Sequence, residues 1–128
     1  LECKENYISK KTTMGDIIEF KNLTNFNKIS DKIILIENAD PGFDWIFSKK
    51  PSGLITKYGG IASHMAIRCA ELGLPAAIGC GEILFNKLKI SSIITLDCKN
   101  EDIVILEYKQ KNDFSEEKKL LKSLGYIR

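Results

Sequence analysis

Leu54-Ile-Thr-Lys-Tyr-Gly-Gly-Ile-Ala-Ser-His-Met-Ala-Ile-Arg-Cys-Ala-Glu-Leu-Gly-Leu-Pro-Ala-Ala-Ile-Gly79 is the stretch on which the fold turns. Leu54 to Thr56 is a short apolar run, the pattern of a strand buried on both faces. Gly59 and Gly60 break it. Ser63 has the side chain to cap a helix, because its hydroxyl can accept a backbone N–H one turn on. A helix is therefore expected from His64 to about Leu72, with Met65, Cys69 and Leu72 as its core face and Ala66 and Ala70 small enough for close packing. Gly73-Leu-Pro75 stops it, since glycine suits the position after the last turn and proline cannot continue it. Ala76 to Gly79 reads as a further buried strand.

Working outward, Lys32-Ile-Ile-Leu-Ile-Glu37 is another buried strand. Asn38-Ala-Asp-Pro-Gly42 is a turn signal, and a short helix over Phe43 to Ser48 follows. Asp16 to Phe20 reads as a strand and Lys21 to Asp31 as a polar loop. Past the central stretch come a short helix near Ile83 to Leu88 and two strands, Ser92 to Leu96 and Ile103 to Tyr108. The polar loop Asp97 to Asp102 joins those strands as a hairpin. Residues 1–15 are expected to be a linker or edge segment, 16–110 the domain, and 111–128 an amphipathic helix packed on it. Ser115 caps that helix, Glu116 and Glu117 occupy its first turn, and Leu120, Leu121 and Leu124 form its apolar face. Strands alternating with helices predict an α/β fold around a largely buried sheet.

Composition narrows the function. The chain has 128 residues, 44% hydrophobic, enough for one domain with a core. Its net charge of +2 is far from the basic balance of a protein that binds nucleic acid through phosphates. No apolar run approaches the roughly 20 residues needed to span a bilayer, and no signal peptide is visible. Nucleic-acid and membrane partners are not expected. The four cysteines, Cys3, Cys69, Cys80 and Cys98, form no Cys-x-x-Cys pair. With a single histidine they make a metal site unexpected, and they read as reduced thiols of a cytoplasmic protein.

The chemistry converges on that histidine, His64. The first helical turn carries unpaired N–H donors and roughly half a positive charge. There the protonated ring is disfavoured, which leaves a neutral nucleophile near neutral pH, and the same donors would stabilise a phosphoryl dianion once attached. Gly59 and Gly60, lacking β-carbons, permit a tight bend and close backbone approach to a phosphate-sized group. Arg68, four residues on, shares the helix face of His64 and could clamp phosphate oxygens. Thr56, at the strand end, could hydrogen-bond a ring nitrogen or a phosphate oxygen. Taken singly each has an ordinary explanation: a structural histidine, a strand-to-helix turn, a solvated arginine. Their order carries the functional reading.

Thr56 to Gly79 resembles the mobile phosphohistidine domain of phosphoenolpyruvate-utilising enzymes. Gly59, Gly60, Ser63, His64, Ala66, Ile67, Glu71, Gly73, Pro75 and Gly79 match that family's pattern in register. Ile34-Leu-Ile-Glu-Asn-Ala-Asp-Pro41 and Gly79-Cys-Gly-Glu82 extend the likeness, which runs from about Ile33 to Thr95. Two positions depart. Ala62 stands where many members have threonine, and Ala70 where many have arginine, so that Arg68 is the nearby guanidinium.

The resemblance implies a single swivelling domain of β/β/α type whose histidine takes phosphate on Nε2 from a nucleotide or phosphoenolpyruvate and carries it to a second site. Donor and acceptor sites would lie on nucleotide-binding and phosphoenolpyruvate-binding domains, in the same chain or separate, and the whole enzyme would need Mg with ATP and/or phosphoenolpyruvate. No cofactor is expected in this chain, which has no Walker-type loop. A start at Leu1 rather than methionine hints at a piece of something longer. The alternatives are a stand-alone phosphocarrier or regulatory module, and a non-catalytic swivel-like interaction domain.

Overall fold

A computed structural model of the chain describes residues 5–19, 29–38 and 41–108. Seven strands are present: β1 (Asn6–Ile8), β2 (Thr12–Glu19), β3 (Ile33–Ile36), β4 (Gly53–Thr56), β5 (Ala76–Ile78), β6 (Ser91–Asp97) and β7 (Asp102–Tyr108). Two α-helices, α1 (His64–Leu72) and α2 (Gly81–Lys89), and a 3-10 helix (Pro41–Lys49) complete the fold. The strand order is β1-β5-β4-β3-β2-β6-β7.

The centre is parallel. Ile33, Ile34, Leu35 and Ile36 of β3 lie beside Gly53, Leu54, Ile55 and Thr56 of β4, and Leu54 and Ile55 beside Ala76 and Ala77 of β5. Every residue of these three strands is buried, as expected for short apolar runs covered on both faces. β1 closes one edge, antiparallel to β5. On the other side β2 does two things. Ile17 to Glu19 pair in parallel with β3, whereas Thr12 to Asp16 pair antiparallel with β6, which continues into the β6–β7 hairpin.

Alternation along the strands divides the core in two. Ile34, Ile36, Leu54, Ala76 and Ile78 face Met65, Ala66 and Cys69 of α1 and Ile46 of the 3-10 helix. Ile33, Leu35, Ile55 and Ala77 face Phe85 and Leu88 of α2 and Ile94 and Leu96 of β6. The result is three layers: α1 with the 3-10 helix, the parallel strands, and the hairpin with α2. This is the expected α/β arrangement.

Three details differ from the sequence reading. Of residues 1–15, expected to be a linker or edge segment, Asn6–Ile8 form the edge strand β1, and β2 begins at Thr12 rather than at Asp16. Its first half alternates exposed and partly covered positions, which leaves no apolar run to read. Leu72, expected on the core face, is exposed, and it lines a shallow groove with Phe47, Pro51 and Leu74. The short helix at Phe43–Ser48 extends over Pro41–Lys49 with 3-10 geometry. The amphipathic helix expected at 111–128 and most of the 21–31 loop lie outside the described residues.

Candidate functional site

The loop from β4 to α1 is held at both ends by backbone bonds. Lys57 and Tyr58 donate their N–H groups to the carbonyls of Ile36 and Glu37, extending the strand by two residues. Gly59 then turns with φ of 122°. The Gly60 carbonyl accepts the Ser63 N–H at 3.0 Å and closes a tight turn before the helix. Ser63 has extended geometry (φ −68°, ψ 155°), and its hydroxyl accepts the Ala66 N–H at 3.4 Å, so it is the cap. Gly73 adopts the left-handed conformation (φ 65°) at the other end, where the Gly73 and Leu74 N–H groups return to the carbonyls of Ala70 and Cys69. The helix therefore opens on His64 and closes on Leu72, both as the sequence predicts.

His64 is the first residue of α1, and its side chain is 41% exposed. Its Nε2 lies 2.7 Å from Oδ1 of Asp44 in the 3-10 helix. Arg68, one helical turn on, sends its Nε to the same oxygen at 3.0 Å. Arg68 also reaches Glu71 Oε1 through Nη1 at 3.5 Å, and its guanidinium lies over the Phe47 ring at 5.6 Å. His64, Asp44 and Arg68 thus form one cluster joined at a single carboxylate oxygen. The His64 hydrogen bond first, then Arg68, hold the Asp44 carboxyl below its usual range, while Asp44 pushes Arg68 further up. An ionised carboxylate only accepts, so it is His64 Nε2 that carries the hydrogen.

The other predicted residues have separate places. Thr56 is fully buried, and its hydroxyl takes the Gly79 N–H at 3.0 Å, tying the end of β4 to the end of β5. The Gly59 carbonyl packs directly on Gly79, where a β-carbon would have no room. Gly60 is the reverse case: exposed, with open space where a β-carbon would point. Its lack of a side chain serves nothing within the described residues.

Asp44 is the residue that sequence reasoning missed. The available signal was an acidic side chain in the helix after an Asp-Pro turn, and nothing local marks it as a partner of a residue twenty positions away. Among the described residues no group of three or more His, Cys, Asp or Glu side chains is placed to hold a metal ion. Nor is any described helix long and apolar enough to cross a membrane.

Fold and site together define an α/β domain with a layered sheet that presents a single histidine, at a helix start, to solvent. Residues 29–101 match the family described as "PEP-utilising enzyme, mobile domain", and the chain belongs to that family. Among curated relatives it is 30% identical over 96 residues to phosphoenolpyruvate synthase of Escherichia coli, covering 74% of this chain and 12% of that protein. Phosphoenolpyruvate synthase of Helicobacter pylori is 35% identical over 93 residues, covering 71% of this chain and 11% of the relative. The chain thus spans about an eighth of the length of such relatives. Among solved structures, aconitase X of Thermococcus kodakaraensis superposes with a TM-score of 0.53 at 13% identity, covering 81% of this chain and 97% of that one. That likeness is one of fold.

Proposed function

We propose that this chain is the phosphoryl carrier domain of a phosphoenolpyruvate-utilising phosphotransferase, accepting phosphate on His64 from a nucleotide or phosphoenolpyruvate and passing it to a second site. The observation that carries this reading is the placement of the chain's single histidine, part-exposed, as the first residue of a capped helix in the family-matching segment. The positive end of a first helical turn favours a dianion attached nearby. The open space at Gly60 gives a phosphoryl group or a partner's loop room to approach the turn.

In the transfer, a lone pair on His64 attacks phosphorus in line, and the donor leaves with the electrons of the broken bond. Negative charge on the three equatorial oxygens falls to the helix start and to cations supplied by the donor's own domain. Mg, where the whole enzyme uses ATP and/or phosphoenolpyruvate, would neutralise phosphate charge on those domains. Nucleotide-binding and phosphoenolpyruvate-binding domains are the expected partners, and the cytoplasm the expected location.

Intact mass after incubation of the chain with cell extract and either phosphoenolpyruvate or ATP tests this reading. An acid-labile phosphoryl adduct on wild type and none on His64→Ala is the expected result, and the productive donor names the branch of the family. Repetition with the full-length gene product covers phosphorylation that needs tethered domains. Absence of an adduct there, with activity retained by His64→Ala, would leave a non-catalytic interaction domain.

A further inference from the structure

The nitrogen expected to take the phosphoryl group is already occupied. Asp44 Oδ1 lies 2.7 Å from His64 Nε2, in hydrogen-bonding contact with the nitrogen that would bond to phosphorus. Because the carboxylate demands the hydrogen, the ring in this arrangement has no lone pair at Nε2 to offer. An attacking phosphorus has to enter the space that the carboxylate fills, and an attached dianion would face a carboxylate at contact distance. Arg68 Nε, at 3.0 Å from the same oxygen, is spent on Asp44 in this state.

We propose that Asp44 is a latch on His64: it holds the ring with its hydrogen on Nε2, and phosphoryl transfer displaces it, with Arg68 moving from the Asp44 carboxylate to the oxygens of the phosphoryl group. This rests on the carrier reading above and names a positioning role for two residues within it. The exchange is geometrically conservative. An oxygen on phosphorus bonded to Nε2 stands about as far from that nitrogen as Oδ1 does now, so it comes within the present reach of Arg68. The latch also accounts for where Arg68 sits: an arginine at this position can satisfy a carboxylate before transfer and a phosphoryl group after it.

The proton inventory is simple. When Asp44 withdraws, the ring gives its Nε2 hydrogen to solvent and takes one at Nδ1, so its charge is unchanged and Nε2 gains a lone pair. That pair forms the N–P bond. The bond from phosphorus to the donor breaks, and its electron pair leaves with the donor.

Phosphoramidate is a suitable probe, since it delivers phosphoryl to histidine without a partner domain: the P–N bond breaks and ammonia leaves. With one histidine in the chain, 15N-histidine labelling gives a single ring to observe. Three results are expected. The wild-type ring carries its hydrogen on Nε2. Asp44→Ala is phosphorylated on His64 roughly three- to tenfold faster, the scale of losing one net hydrogen bond at a solvent-accessible site. In wild type, the Arg68 Nε–H resonance shifts on phosphorylation. Asp44→Asn keeps the side chain's shape and should also react faster, because a neutral amide holds the Nε2 hydrogen less strongly and does not repel an incoming dianion.

An adduct forming on His64 equally fast or more slowly in both variants overturns the latch and leaves the carrier reading standing. A wild-type ring with its hydrogen on Nδ1, or an Arg68 signal that does not move, does the same. No adduct on any folded form, while the urea-unfolded chain reacts, overturns both.

Discussion

The Gly59 carbonyl is seated against Gly79, so the loop that delivers His64 rests on the end of β5. Gly79 also has φ of +74°, a conformation that costs an L-residue roughly 1–2 kcal/mol before any clash is counted. The clash is with backbone, which cannot step aside as a flexible side chain would. Gly79→Ala should therefore lower unfolding free energy by about 2–4 kcal/mol in denaturant titration. Gly60→Ala, with open space at its β-carbon, should leave stability nearly unchanged. Equal losses in the two variants would contradict this account of the loop.

Ser63 contributes through one hydrogen bond, and a long one at 3.4 Å. Ser63→Ala should cost about 0.5–1 kcal/mol, the lower part of the range for a helix cap. A second consequence is kinetic. A frayed first turn presents its N–H donors less steadily, so His64 in this variant should lose an attached phosphoryl group faster than wild type, measured by the decay of the adduct mass.

Asp44 sets an acid limit. Its carboxyl is held below the ordinary value of 3.8, first by His64 and then by Arg68. A depressed folded-state pKa gives a stabilisation that is complete above the unfolded value and lost as pH falls through the lowered one. The stability difference between wild type and Asp44→Ala should thus persist from neutrality down to about pH 4 and fade below it. Denaturation midpoints at neutral pH and near pH 2–3 check this, and a difference that grows on acidification would reverse the sign argued here.

Three thiols sit in the cores. Burial pushes Cys69 and Cys80 up to about 12 and Cys98 to about 11. At pH 8 the reactive thiolate is then roughly one part in a thousand or less. In a Cys3→Ser background, native protein should resist a thiol-specific disulfide reagent for as long as it stays folded. All three thiols should appear at once on adding denaturant. Prompt labelling of any one in native protein would show that its layer opens locally.

Much of this architecture was written in local signals. α1 runs from His64 to Leu72 as expected, because a cap at Ser63 and a left-handed glycine at Gly73 act on their own neighbours. β3, β4 and β5 were visible as apolar runs, since burial on both faces leaves no polar alternation to confuse them. What escaped notice depends on distant pairing. Thr12 to Met14 read only as a linker or edge segment until β6 supplies their partners some eighty residues later. Asp44 shows its role only once the 3-10 helix lies against α1. Arg68 was legible as a neighbour of His64 from the spacing alone, but the oxygen it shares with that ring belongs to tertiary structure. Leu72 fits the core stripe by periodicity and yet faces the groove beside Phe47.

One strand has a mechanical consequence. β2 is stitched to the parallel layer by its second half and to the hairpin by its first, so neither layer can slide past the other without tearing a ladder. If His64 serves two sites, as proposed, it cannot gain that reach by deformation inside such a block. In the carrier proposed above, the domain would then travel as cargo, whole, with His64 fixed to it like the tip of a rigid crane arm.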